Sequence, residues 1–115
     1  MIAIDEVHQV AMEIILNAGN GRTKIKSALV AMEECDFDKA RTDLDAAQEE
    51  ITKAHRAQTK LIQSEARGEE IPSSILFVHA QDTLMTIKSE QNIAERLMGI
   101  TDAFNRRLIA LENEK

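Results

Sequence analysis

Apolar residues recur along this chain with helical spacing in three separate runs. Val7, Ala11, Ile14, Ala18, Gly21, Ile25, Ala28 and Met32 alternate steps of four and three residues, which places them on one face of a helix. The seam passes unbroken through Asn17-Ala18-Gly19-Asn20-Gly21. Gly21 therefore reads as a point of close helix packing rather than part of a phosphate-cradling loop, which needs a preceding strand. A second seam follows the same rule through Phe37, Ala40, Leu44, Ala47, Ile51, Ala54, Gln58 and Leu61, with a charged opposite face. Between them lies the short turn Glu33-Glu34-Cys35-Asp36, where Asp36 is placed to cap the second helix. A connection this short makes the first two helices antiparallel neighbours. Gly68-Glu69-Glu70-Ile71-Pro72 breaks the pattern, and Ser73 or Ser74 can cap a third helix. Its seam runs through Asp82, Thr86, Ser89, Ile93, Leu97, Ile100, Phe104 and Leu108. The expectation is an all-α, antiparallel three-helix bundle, one domain over residues 1–115, with helices of about 28 residues spanning roughly 40 Å each.

Composition agrees with helices and narrows the partners. The 115 residues are 43% hydrophobic, with no Trp, no Tyr and one Pro, as suits an all-helical chain. A formal charge of −6 argues against a nucleic-acid backbone or an anionic membrane as the main partner, because both require clustered Lys and Arg. The single cysteine, Cys35, cannot form an internal disulfide, and Glu34 and Asp36 beside it disfavour a thiolate. No leading apolar stretch resembles a signal peptide or a membrane span, so the chain is expected in the cytoplasm.

The third helix carries the candidate chemistry. His79 and Asp82 stand three residues apart within Ile75–Met85, so they project on the same side of one helical turn. Asp82, Thr86 and Ser89 occupy seam positions that are apolar in the other helices. A buried carboxylate costs several kcal/mol unless paired, protonated or metal-bound, and no Lys or Arg lies within one turn of Asp82. Three subunits on a threefold axis would gather three such carboxylates around one divalent cation; the alternative is a solvated acid at the edge of the stripe. His8 and His55 read as solvated or half-exposed helix residues. Spacing alone leaves His79 open as pH switch, base, metal ligand or nucleophile.

The run Val78-His79-Ala80-Gln81-Asp82-Thr83-Leu84-Met85-Thr86 resembles the active-site segment of the lactose/cellobiose/chitobiose-type enzyme IIA subunits of the bacterial phosphoenolpyruvate-dependent sugar phosphotransferase system. Asn17-Ala18-Gly19 with Arg22, Asp36-Phe37 before Ala40, Ala54-His55 with Gln58-Thr59, and Glu65-Ala66-Arg67-Gly68-Glu69 resemble family segments in the same order. The resemblance implies a three-helix subunit assembled as a homotrimer. It implies that His79 accepts a phosphoryl group from phosphohistidine on HPr and passes it to a cysteine of the sugar-specific IIB protein. The IIC membrane protein then couples uptake to phosphorylation of a β-linked disaccharide such as cellobiose, chitobiose or lactose. It also implies that Asp82 binds a divalent metal such as magnesium on the trimer axis, and that Gln81 is a polar residue supporting the phosphoryl site. Where many relatives carry a second histidine, this chain has Thr83, a hydroxyl that can donate one hydrogen bond and carries no charge. Leu76, Ala80 and Leu84 are expected to form a docking surface for partners, with an acidic rim that steers them.

Two other readings compete. A non-enzymatic helical adaptor or oligomerisation module explains the three seams without chemistry, but not the polar first half of the third helix. A metal-binding bundle without phosphoryl transfer usually needs Glu and Glu-x-x-His pairs on several helices, and one helix alone offers candidates here.

Overall fold

The computed structural model describes residues 1–114. Three helices run up, down and up: α1 Ile4–Glu33, α2 Phe37–Ala66 and α3 Ile75–Asn113, in a rod of 71 × 21 × 18 Å. Among the described residues no helix is long and apolar enough to cross a membrane.

The first two seams pack as their spacing predicts. All eight positions of the α1 seam are buried, and on α2 Ala40, Leu44, Ala47, Ile51, Ala54, Gln58 and Leu61 are buried too. Much of this interface is alanine, which lets the helix axes approach closely. Gly21 marks a close approach, since a Cβ there would lie 3.2 Å from Cγ1 of Ile51 and 3.4 Å from the carbonyl oxygen of Ala47. At the edge of the interface Ser27 Oγ donates to Asp43 Oδ2 at 2.6 Å, and Lys39 Nζ donates to the same oxygen at 2.8 Å.

Local chemistry ends and restarts each helix. Cys35 takes the left-handed conformation, φ 58°, so that the Asp36 amide turns back onto the Ala31 carbonyl at 2.9 Å. This closes the last turn of α1 at a conformational cost of about 1 kcal/mol for a residue other than glycine. The Asp36 side chain then accepts from the Lys39 amide at 3.1 Å. Gly68, φ 96°, performs the same reversal after α2 without that cost. Ser74, rather than Ser73, caps α3 by accepting from the Phe77 amide at 3.1 Å, and the Ile2 amide donates to the Glu70 carbonyl at 3.0 Å, tying the start of the chain to this connection.

The face of α3 that packs on the other two helices is not the one its most conspicuous stripe predicted. Ala80, Leu84, Ile87, Gln91 and Ala94 are buried against α1 and α2, whereas Asp82, Thr86, Ser89, Ile93, Leu97, Ile100, Phe104 and Leu108 are exposed. The helix carries two stripes on roughly opposite sides. The stripe from Ala80 to Ala94 packs on the alanine-rich α1–α2 surface, and the other is turned outward. Consequently Ala80 and Leu84, with no exposed surface, and the partly buried Leu76 belong to the core and offer partners no docking surface. Polar ties fix the register: Gln91 Nε2 donates to the Leu44 carbonyl at 3.0 Å, Arg41 grips Glu95 through both terminal nitrogens at 2.7 and 2.8 Å, and Arg22 is paired with Glu90 at 2.9 Å. Placed this way, α3 outruns its neighbours. It is 39 residues long against 30 for each of the others, and from Ala103 onward almost every side chain is exposed.

Candidate functional site

His79 sits in the second turn of α3, just past the Ser74 cap. The backbone beneath it is doubly secured, because Ser74 also accepts the Val78 amide through its carbonyl at 3.1 Å. Its side chain is exposed and, among the described residues, enters no hydrogen bond or ion pair. Asp82 lies one turn on, on the same side of the helix, and is likewise exposed and without an ion-pair partner among the described residues. The two ionisable groups therefore share the outward flank of α3, free of the bundle's own polar network.

Thr83 is committed elsewhere. Its Oγ1 donates to the His79 carbonyl at 2.8 Å, the common i−4 back-bond of a helical threonine, so its one proton serves the backbone of the turn that carries the histidine. Gln81, two residues after His79, is rotated from it by about 200° around the helix axis. It is half-buried and lines a groove of about 260 Å³ between α2 and α3 with Leu61, Glu65, Pro72 and Phe77. Within one chain the helix thus brings His79 and Asp82 together and sends Gln81 to a different face.

His8 and His55 are both exposed. Among the described residues no three His, Cys, Asp or Glu side chains converge within one chain as a metal site, so Asp82 can offer a cation only one carboxylate per copy. A larger cleft, about 740 Å³, lies instead between the start of α1 and the end of α2. Lys53, Arg56, Lys60 and Arg67 line it together with Glu6 and Glu13, and neither His79 nor Asp82 reaches it. A reaction on an exposed imidazole needs no cavity of its own, because the incoming protein can close the site.

Two features around α3 lie outside its apolar periodicity, and one of them had a local signal. The Thr83 back-bond was legible as a threonine four residues after the histidine. The Arg41–Glu95 pair joins residues far apart in sequence and had no local signal, whereas Gln91 Nε2 donates to Glu95 Oε1 at 3.2 Å across one turn of α3.

A family model described as "PTS system, Lactose/Cellobiose specific IIA subunit" matches residues 9–102. The lichenan-specific phosphotransferase enzyme IIA component of Bacillus subtilis is 42% identical over 94 residues, covering 82% of this chain and 86% of that protein. Among solved structures, PtcA from S. mutans superposes with a TM-score of 0.85 at 40% identity, over 87% of this chain and 98% of the other. The IIA(Chitobiose) chain in its complex with HPr, from the N,N'-diacetylchitobiose branch of the Escherichia coli phosphotransferase system, superposes with a TM-score of 0.74 at 28% identity, over 86% of this chain and 96% of that one.

Proposed function

This chain belongs to the lactose/cellobiose-specific IIA subunits of the sugar phosphotransferase system, and we propose on that basis that His79 is the residue that carries the phosphoryl group. As a IIA component the chain is a phosphotransferase part of sugar uptake. The observation that carries the assignment is an exposed histidine on a capped, well-anchored helix, with no intramolecular partner among the described residues. Nothing within the chain has to be broken before a donor protein reaches it.

The reaction follows from the imidazole. A neutral ring nitrogen of His79 attacks the phosphorus of phosphohistidine on HPr, a new P–N bond forms as the donor's P–N bond breaks, and the donor imidazole leaves. In the second half the thiolate of a IIB cysteine attacks the same phosphorus, and His79 leaves in turn. Transfer of this kind depends on in-line positioning and charge stabilisation more than on acid–base help. HPr enters this reading because the similar IIA(Chitobiose) is held in complex with HPr. IIB, and IIC beyond it, enter through the family, and a relay between these partners implies that the chain works in the cytoplasm. The relatives are named for lichenan, lactose, cellobiose and chitobiose. We take the substrate class to be β-linked disaccharides, handled by IIB and IIC rather than by this subunit.

Asp82 sets a constraint. At a separation of about 6 Å and an effective dielectric near 20, a carboxylate repels a phosphoryl charge by about 3 kcal/mol per unit charge. Asp82 must therefore be neutralised. Trimerisation through the outward face of α3 meets this demand, since three Asp82 carboxylates and the nearby Thr86 hydroxyls form an all-oxygen donor set that suits a hard cation such as Mg²⁺. When bound, the ion supplies charge neutralisation on the axis. His79 stays at the margin of the same face, toward the groove between copies. Gln81 supports the site from the α2–α3 groove, as part of the surface on which a partner protein lands.

The experiment is intact-mass measurement after incubation with phosphoenolpyruvate, enzyme I and HPr. One acid-labile phosphoryl group is expected on the wild type and none on His79→Ala. No addition to the wild type in the presence of active HPr would overturn the relay in favour of a helical adaptor, whereas addition to His79→Ala would move the site elsewhere.

A further inference from the structure

Two ties fix α3 against α1. The Arg22 guanidinium holds Glu90 through two bonds of 2.9 Å, and the Ile2 amide holds the Glu70 carbonyl at 3.0 Å. Both pairs are 68 positions apart along the chain, and the two helices run in the same direction, so a residue of α1 stands level with the residue of α3 numbered 68 higher. His79 comes eleven residues, about three whole turns, before Glu90 and lies on the same side of α3. His8 comes fourteen residues, about four turns, before Arg22 and lies on the same side of α1. The two histidines therefore border one groove, the one that Arg22 and Glu90 bridge farther along, with an offset of about 4.5 Å between their levels. The axes of packed helices are about 8–10 Å apart, a gap that two imidazoles with a phosphoryl group between them can span.

This groove lacks any other donor for a phosphoryl group. Such a group brings about two negative charges, which Asp82 can only repel. Thr83 spends its one proton on the His79 carbonyl at 2.8 Å. No Lys or Arg precedes Arg22 on α1, and none precedes Lys88 on α3. The remaining charged side chains near this end of the groove are Asp5, one turn before His8, and Glu69 and Glu70 in the connection to α3, all of them acidic. α2 packs on the other flank of α3, around Gln81. His8 itself is exposed and, among the described residues, enters no hydrogen bond or ion pair, so its ring is free to turn into the groove.

We propose that His8 is a second working histidine of the relay: its imidazolium donates a ring N–H across the α1–α3 groove to an oxygen of the phosphoryl group on His79, from the flank opposite Asp82. Imidazole suits the role because it can be charged near neutral pH and, when protonated, offers a donor on each nitrogen. The hydrogen bond forms as the P–N bond to the HPr histidine breaks and the phosphoryl charge settles on His79, and it is given up when the group passes to the IIB cysteine. The inference rests on the reading of His79 as the phosphoryl carrier. It adds a residue from another helix, one that lies just outside the matched residues 9–102.

The test has two arms, both on the full chain. In the first, the imidazole resonances are followed by NMR before and after phosphorylation with phosphoenolpyruvate, enzyme I and HPr. The His8 ring signals are expected to shift together with those of His79, and those of His55, on α2, to stay in place. In the second, phosphoryl transfer from phospho-HPr is timed for His8→Gln, His8→Lys and His55→Gln. His8→Gln is expected to lower kcat about tenfold, less than the loss of a donor in a water-excluded site because this groove is open to solvent, with KM little changed because docking keeps its contacts. His8→Lys restores the charge and is expected to recover most of the rate, and His55→Gln to match the wild type. A His8 signal unmoved by phosphorylation, or a His8→Gln variant as fast as the wild type, would overturn the role of His8 and leave His79 as the carrier. A wild type that takes up no phosphoryl group from active HPr would overturn both.

Discussion

Asp43 shows what a single side chain gains from being folded in. The Lys39 hydrogen bond, first, and the Ser27 hydroxyl, second, hold its carboxyl below its ordinary value near 3.8, while Asp43 raises Lys39 above its ordinary 10.5 through the same bond. A folded-state value below the unfolded one means that the contribution to stability is complete above about pH 4 and is lost as the pH falls through the folded-state value. Asp43→Asn is therefore expected to cost about 1 kcal/mol at pH 7, given that Lys39 is exposed, and its deficit should shrink on moving to pH 3. Thermal unfolding of both proteins at the two pH values measures this; a deficit that stays constant would show that the carboxylate charge is irrelevant. The cap at Asp36 was legible in the sequence and the one before α3 was narrowed to Ser73 or Ser74, because a cap is local chemistry that needs only its own first turn. The role of Asp43 was not, because its partner Ser27 comes from another helix.

Spacing along an element predicts which residues share a face, but not what that face meets. On α1 and α2 each helix has one apolar stripe, and the reading of both was sound. On α3 the positions from Asp82 to Leu108 do share a face, but the stripe from Ala80 to Ala94 is the one that packs on the α1–α2 surface. Choosing between two stripes requires the shape of the partner surface, which periodicity does not contain. Close approach was legible at Gly21, since a glycine on a seam leaves no side chain to hold the helices apart. Gly21→Leu is expected to destabilise the fold by about 1–3 kcal/mol through overpacking against Ile51. Gly99→Ala meets open space and is expected to stabilise it by roughly 0.5–1 kcal/mol through helix propensity alone. Urea unfolding of the two variants should give shifts of opposite sign, and shifts of the same sign would refute this account of the interface.

At the scale of the molecule, the outward face of α3 combines a polar middle at Asp82, Thr86 and Ser89 with apolar ends. In the assembly proposed above, the middle answers to the cation and the ends to the solvent. Chelation is expected to lower the melting temperature of the wild type by a few degrees without dissociating it, and to leave Asp82→Leu unaffected. Scanning calorimetry with and without EDTA decides this, and a chelator effect of equal size on Asp82→Leu would remove Asp82 from the cation site. The His79–Asp82 pairing could be read from one helical turn; Gln81's place in another groove followed only from seeing which side of α3 faces α2.

The order of the helices along the chain also has a consequence in time. α1 and α2 are joined by a turn of only three residues, and such a hairpin can close while the rest of the protein is still being made, because domains tend to form from the N-terminal side at the pace of translation. α3, which bears both the reactive histidine and the adhesive outward stripe, emerges last. By then the α1–α2 surface is ready to take up its inner face, so a newborn chain presents its sticky side to other copies only once its own bundle is complete.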